Sequence, residues 1–344
     1  MMTAISSKNE EIKRKMCAFL AKNFTVCNNH YNIAESRKIG EVYETIEDQA
    51  VIKELLSDVT VVVLTANKYE KNILHHNICY TKNHGEKIKR MSITLYPECE
   101  LKISTYGYLF KWNNYTILHI EAQTTGSYTI GGSADITRFV INNPLISPRV
   151  IVSLGICFGT DEQKYNLGDT IISEKVYPCF IGAKINESGL SVKDDNMFSI
   201  NPKLRMSIRS ACDKNIFNKD TEGKVYLGNY ITGEAVVSSI EVRNLFANTT
   251  TQEIVAGEME GYGLFKECST IPNSVPCLIV KSICDWGAMK NFDPKPILDK
   301  MPTIREKLAE ETSQTIKGKG QAYAAFQAYK TMDILLKNDV CVLG

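Results

Sequence analysis

The stretch VIVSLGICFGT, residues 150–160, decides the fold class. Its first five residues form a short β-branched apolar run, which reads as a strand buried on both faces. The run stops in GICFGT, where Gly155 and Gly159 let backbone lie against a flat ligand. Three further runs have the same form: VTVVVL at 59–64, YTILHI at 115–120 and CLIVKSI at 277–283. They lead into TANKYE, the glycine-rich EAQTTGSYTIGGSAD and CDWG. Helical patterns fall between them, at 134–142 and 258–266 among others. This alternation argues an α/β domain with a mostly parallel or mixed sheet. Ligands gather at the carboxyl ends of such strands, so the polar residues just past each run are the first candidates for a site.

Composition narrows the class. With 344 residues, 44% of them hydrophobic, the chain can bury a substantial core as one large or two modest domains. A net charge of +1 lacks the basic footprint of a nucleic-acid binder. The eleven cysteines are odd in number and form no C-x-x-C pair, so they read as reduced thiols of a cytoplasmic protein. No apolar run is long enough to span a bilayer, and no membrane partner is expected. Five histidines (His30, His75, His76, His84, His119) lack ligand spacing, so neither metal nor cofactor is expected.

Residues 8–24 place Ile12, Met16, Phe19, Leu20 and Phe24 on one stripe of an amphipathic helix, which packs on its own domain or on another subunit. We expect residues 1–56 to be a helical extension and 57–340 the main domain, with insertions at 182–223 and 291–320. The second insertion ends in KGKG and reads as a lid, a partner surface or a solvated loop-helix. The pattern at 321–338, QAYAAFQAYKTMDILLKN, reads as a closing helix.

Several strand ends carry chemistry. TANKYE puts Glu70 near the mouth of the sheet. In the glycine-rich segment, Ser133 reads as a helix N-cap. The turn before it could cradle a phosphate or approach a neutral sugar, and Asp135 opposes an anion there. Asp285 ends a buried strand beside Trp286, where desolvation would raise its pKa, as a general acid requires; the competing role is a capping aspartate beside a core tryptophan. In AGEMEGYGLF, residues 256–265, Glu258 and Glu260 need pairing, exposure or a task, because buried carboxylates are costly.

Taken together, TANKYE, VIVSLGICFG, YNLGDTIISEKV, GNYITGEAVV, GEMEG, VKSICDW and a late alanine-rich helix resemble the nucleoside phosphorylase and nucleosidase superfamily, over most of residues 59–336. The methylthioadenosine/S-adenosylhomocysteine nucleosidases are the nearest branch. MEG, KSICDW and AAFQAY look closest to nucleosidase domains of antiviral-defence effectors. The resemblance implies a single α/β domain around a central mixed, partly barrel-like sheet flanked by helices, assembled as a dimer or hexamer.

It also implies roles. Met259 would pack under the ribose and Glu260 would accept its hydroxyls, with Glu258, Gly126 and Ser127 nearby. Ile156, Cys157, Phe158, Val236, Val237 and Trp286 would surround the base. Asp285 matches the acid that donates toward purine N7, and Glu70 the glutamate that orients and deprotonates water. Cys284 replaces the usual serine before that aspartate, and Ile156-Cys157-Phe158 makes a bulkier base pocket than the family's alanine-glycine turn. Cys157 reads as a packing residue. TANKYE lacks the phosphate-holding arginine of phosphorylases, which favours hydrolysis of an adenine nucleoside or nucleotide, ATP included. Phosphorolysis and a non-catalytic nucleotide sensor are the alternatives. For a triphosphate, Lys68, Lys71, Arg138, Arg243 and Lys290 are candidate cations.

Overall fold

The computed structural model describes residues 2–342 except 84, 97–102, 180–183, 187–188, 192–196, 218–220, 235–236, 249, 271–274 and 288–292. Its strands in chain order are β1 (Tyr43–Thr45), β2 (Val61–Thr65), β3 (Ile88–Thr94), β4 (Ser104–Trp112), β5 (Tyr115–Glu121), β6 (Val150–Gly159), β7 (Thr170–Pro178), β8 (Lys184–Asn186), β9 (Gly189–Ser191), β10 (Phe198–Ser199), β11 (Val225–Thr232), β12 (Ile254–Glu258) and β13 (Cys277–Asp285). The helices are α1 (Met2–Lys22), α2 (Phe24–Glu35), α3 (Gln49–Ser57), α4 (Lys68–Asn77), α5 (Ser133–Asn142), α6 (Pro202–Asp213), α7 (Ile240–Ala247), α8 (Gly261–Ser269), α9 (Lys295–Leu298), α10 (Pro302–Leu308) and α11 (Ser313–Lys337).

The four apolar runs form β2, β5, β6 and β13, and every residue of β2 is buried. β2 lies parallel to β5 on one side and β6 on the other. β4 and β3 continue the sheet antiparallel, and β1 adds parallel to β3. β6 is long enough to serve two structures. It pairs with β2 and β13 in parallel and with β12 antiparallel near its end. β12, β11, β7 and β13 then pair in turn and return to β6, closing a five-stranded ring. The sheet is therefore mixed and partly barrel-like, as its sequence pattern and resemblance imply.

Helices cover it because their apolar stripes need partners. α11 runs along β13 and β6, with α2 and α4 against its other side. On α1, Ile12, Met16 and Leu20 are fully buried. The fold departs from sequence expectation in three places. α11 starts at Ser313, not at 321, since Thr312 and Thr315 form a capping box and Gly318 and Gly320 fit inside the helix. A Cβ on Gly318 would meet Tyr31 at 2.6 Å, and one on Gly320 would meet the Cys284 carbonyl at 3.2 Å. The KGKG segment is thus a close-packed helix turn, where a solvated loop-helix would face water. The helix expected at 258–266 is the end of β12, a two-residue turn and α8. Ser133 lies inside α5 with Gly132 as the N-cap; its hydroxyl instead donates to the Glu260 carbonyl at 2.5 Å.

One buried polar chain ties β1, α4, β5 and β2 together. Tyr43 Oη lies 2.8 Å from His75 Nδ1, His75 Nε2 lies 2.9 Å from His119 Nδ1, and His119 Nε2 lies 2.9 Å from Thr65 Oγ1. Each ring can donate once and accept once, so the chain is satisfied with both imidazoles neutral. Burial lowers both pKa values, that of His119 to about 3. α4 is thereby fixed against the sheet, and α4 carries Glu70.

Candidate active site

The candidate residues gather where strands end. At the junction of β2 and α4 the sequence Asn67-Lys68-Tyr69-Glu70 makes a reciprocal cap. Asn67 Oδ1 accepts the N–H groups of Tyr69 (3.0 Å) and Glu70 (3.2 Å). Glu70 Oε2 accepts those of Ala66 (2.6 Å) and Asn67 (3.2 Å). Its other oxygen accepts the N–H of Ile156 at 2.9 Å. Only glycine at 155 allows this approach, because a Cβ there would collide with the Glu70 carboxyl. Glu70 is 4% exposed, and burial raises its carboxyl to about 7; the Lys281 charge and the donated N–H groups limit the rise, while the Glu260 charge adds to it.

The turn after β12 resolves the paired carboxylates. Glu258 accepts the N–H groups of Glu260 (2.9 Å) and Gly261 (2.9 Å), capping α8 with its side chain. Glu260 Oε1 accepts the N–H of Gly126 at 3.2 Å. Between them stands Lys281 of β13, with Nζ 2.6 Å from Glu260 Oε2 and 3.0 Å from Glu258 Oε2. Burial opposes the charged form of Glu260, but Lys281 and the Gly126 N–H outweigh it and hold the carboxyl below its usual range. Burial likewise opposes the Lys281 ammonium, while Glu260, Glu258 and Glu70 raise its pKa above the ordinary value.

Asp285 reaches the same place by a bulge. β13 pairs Ile283 with Cys157 and Asp285 with Phe158, leaving Cys284 as the extra residue. Bulges re-aim the side chain that follows. Asp285 Oδ1 accepts the N–H of Gly287 at 2.7 Å. Arg243 supports this turn, donating to the Trp286 carbonyl (3.2 Å) and to Glu162 Oε2 (2.8 Å), with both charged side chains almost wholly buried. Lys15 of α1 in turn donates to the Glu162 carbonyl at 2.6 Å.

Glu70, Glu258, Met259, Glu260 and Asp285 line one cavity of about 150 Å³, with Ile156, Cys157, Phe158 and Val237 on its apolar side. Other sequence candidates lie elsewhere. Gly126 and Ser127 stand behind the turn: Ser127 Oγ donates to the Met259 carbonyl at 3.0 Å, and its N–H goes to Glu234. Trp286 does not line the cavity; it is buried and donates its indole N–H to the Tyr165 carbonyl. Val236 and Lys290 lie outside the described residues. Burial raises the Cys157 thiol pKa, consistent with packing rather than nucleophilic duty.

The expected cations are engaged by acids away from the cavity. Lys68 pairs with Glu35, Lys71 with Glu121, Arg138 with Glu267 and Arg243 with Glu162. Two residues that sequence reasoning missed are prominent. Lys281 is one, although a lone lysine inside CLIVKSI was visible as an ionisable group in a buried run. Lys317 is the other, and it lines the cavity with Gln321 one turn further along α11.

The fold is that of the nucleoside phosphorylase and nucleosidase superfamily, and the resemblance read from the sequence holds. A 5'-methylthioadenosine/S-adenosylhomocysteine nucleosidase from Neisseria meningitidis superposes with a TM-score of 0.55 at 15% identity, covering 81% of this chain and 99% of that one. The futalosine hydrolase of Helicobacter pylori gives 0.55 at 13% identity, covering 82% and 98%. In sequence, a curated death domain-containing ATP nucleosidase from Amphimedon queenslandica is 27% identical over 214 residues, 57% of this chain. The matched segment spans 38% of that relative's length. No protein-family model matches the chain. No helix among the described residues is long and apolar enough to cross a membrane.

Proposed function

We propose that this protein hydrolyses the N-glycosidic bond of an adenine nucleoside or nucleotide and releases the free base. The observation that carries this reading is the convergence of Glu70 and Asp285, 215 residues apart in sequence (285 − 70 = 215), on one cavity whose wall includes Met259 and Glu260. Cleaving a purine–ribose bond leaves an oxocarbenium-like sugar and a base that gains electrons. Asp285 donates toward the base at N7, and Glu70 takes a proton from water on the far side of the sugar. Its carboxyl, raised to about 7 by burial, is matched to that task near neutral pH. Glu260 holds the ribose hydroxyls, and its charge favours the cationic sugar of the transition state over the ground state.

Hydrolysis is favoured over phosphorolysis by the occupation of the anion-binding groups. The N–H groups of Ser127 and Tyr128 are both taken by Glu234 Oε1, at 2.8 and 3.2 Å. Lys68 and Lys71, the cations that flank Glu70 in sequence, pair with Glu35 and Glu121. The curated relative's printed activity supports ATP as a substrate, and a cytoplasmic defence effector as the setting rests on the sequence resemblance alone. Exposed Tyr128 and Ile130 beside the site support assembly with further copies of the chain.

Mass spectrometry of products from a nucleoside and nucleotide panel, with and without phosphate, tests this. Free adenine should appear without phosphate. Strict phosphate dependence with a sugar 1-phosphate product would make the protein a phosphorylase, and ligand binding without any base release would make it a sensor.

A further inference from the structure

We propose that Lys317 selects substrates bearing a phosphate chain on the sugar, so that the site prefers nucleotides to nucleosides. The inference rests on the nucleosidase reading and assigns the substrate class within it. Among the described residues the cavity presents four carboxyl groups, those of Glu70, Glu258, Glu260 and Asp285, and Lys317 is the one cation in its lining. A bare nucleoside has no group that calls for it. The acidic wall serves the sugar and base, and Ile156, Cys157, Phe158 and Val237 supply the apolar surface for the base. What remains is the side formed by α11, where Lys317 and Gln321 sit four residues apart on one helix face.

Two features place this cation deliberately. Gly318 and Gly320 let α11 pack against Tyr31, Tyr69 and the Cys284 carbonyl, closer than any side chain would allow. The Lys317 charge is felt at the Cys284 thiol, whose neighbour is Asp285. Among the described residues no carboxylate pairs with Lys317, whereas Lys68, Lys71, Arg138 and Arg243 are all engaged. An ammonium that lines the cavity and is held by no carboxylate gains a charge-assisted hydrogen bond from an anion that enters with the ligand. A phosphate oxygen is the group that does so, and Gln321 can donate a second hydrogen bond to it.

The test compares binding of an adenosine C-nucleoside isostere, whose carbon–carbon glycosidic bond resists hydrolysis, with its 5′-triphosphate by titration calorimetry. The triphosphate should bind the unaltered chain about tenfold or more tightly, the scale of one charge-assisted contact. Lys317→Gln should abolish that preference and leave nucleoside affinity unchanged, while Lys317→Arg should keep it. Thermal melting of each variant controls for folding. Equal affinities in the unaltered chain, or equal weakening of both ligands by Lys317→Gln, would overturn the proposal. A Lys317-dependent preference without base release from natural nucleotides would leave it standing and remove the enzymatic reading instead.

Discussion

The Lys281 ammonium lies 2.6 Å from Glu260 Oε2, and it holds Glu258 at 3.0 Å with the same nitrogen. All three side chains are nearly excluded from water, so removing Lys281 leaves two buried carboxylates without their counter-ion. Lys281→Met should therefore destabilise the protein by about 3–5 kcal/mol in denaturant unfolding. Adding Glu260→Gln should restore part of the loss. A change below about 1 kcal/mol would show that the triad carries no such coupling.

The pH dependence follows from Glu70. Base release should rise with pH along an acid limb centred near 7, where the buried carboxyl ionises. The stability effect has the opposite sense. The folded pKa lies above the unfolded one, so the penalty is absent below about 4.5 and grows as pH rises toward 7. Melting temperatures at pH 5 and pH 8 should thus shift in favour of Glu70→Gln at the higher pH. A difference that stays constant between the two would show that Glu70 does not titrate in this window.

Arg243 acts through the turn that carries Asp285. Arg243→Met leaves Glu162 buried without its partner and removes the donor to the Trp286 carbonyl. We expect lower thermal stability and a kcat reduced at least about tenfold with KM little changed, since only the acid's placement suffers. A rise confined to KM would point to a direct substrate contact instead.

The His75–His119 pair should make the protein acid-sensitive. Both pKa values are depressed, so stability is complete above about 6.5 and is lost as pH falls toward about 3. Unfolding followed from pH 7 to pH 4 should be steeper in the natural chain than in His75→Gln/His119→Gln. Parallel curves would assign acid lability to other groups.

The strand runs and their turns were legible because full burial imposes an unbroken apolar pattern. Glu70 was placed by its position in the turn just past the 59–64 run, while the Asn67-x-x-Glu70 cap that fixes it went unread. Trp286 misled because its neighbour in sequence is the acid, yet successive residues of an extended segment face opposite ways. Lys281 was hidden for the converse reason: its partners Glu258 and Glu260 arrive from another strand end. Lys317 lay in a segment whose lysines and glycines read as a lid, a partner surface or a solvated loop-helix, and only packing against Cys284 and Tyr31 makes it part of α11.

The central claim is that Glu70 and Asp285 act on opposite sides of one bound sugar. Product analysis in ¹⁸O-labelled water without phosphate tests it most directly. One labelled oxygen should appear on the sugar's anomeric carbon, and Glu70→Gln or Asp285→Asn should each abolish adenine release while the protein still melts cooperatively. Undiminished release from the Glu70→Gln/Asp285→Asn double variant, or an unlabelled sugar, would contradict the account.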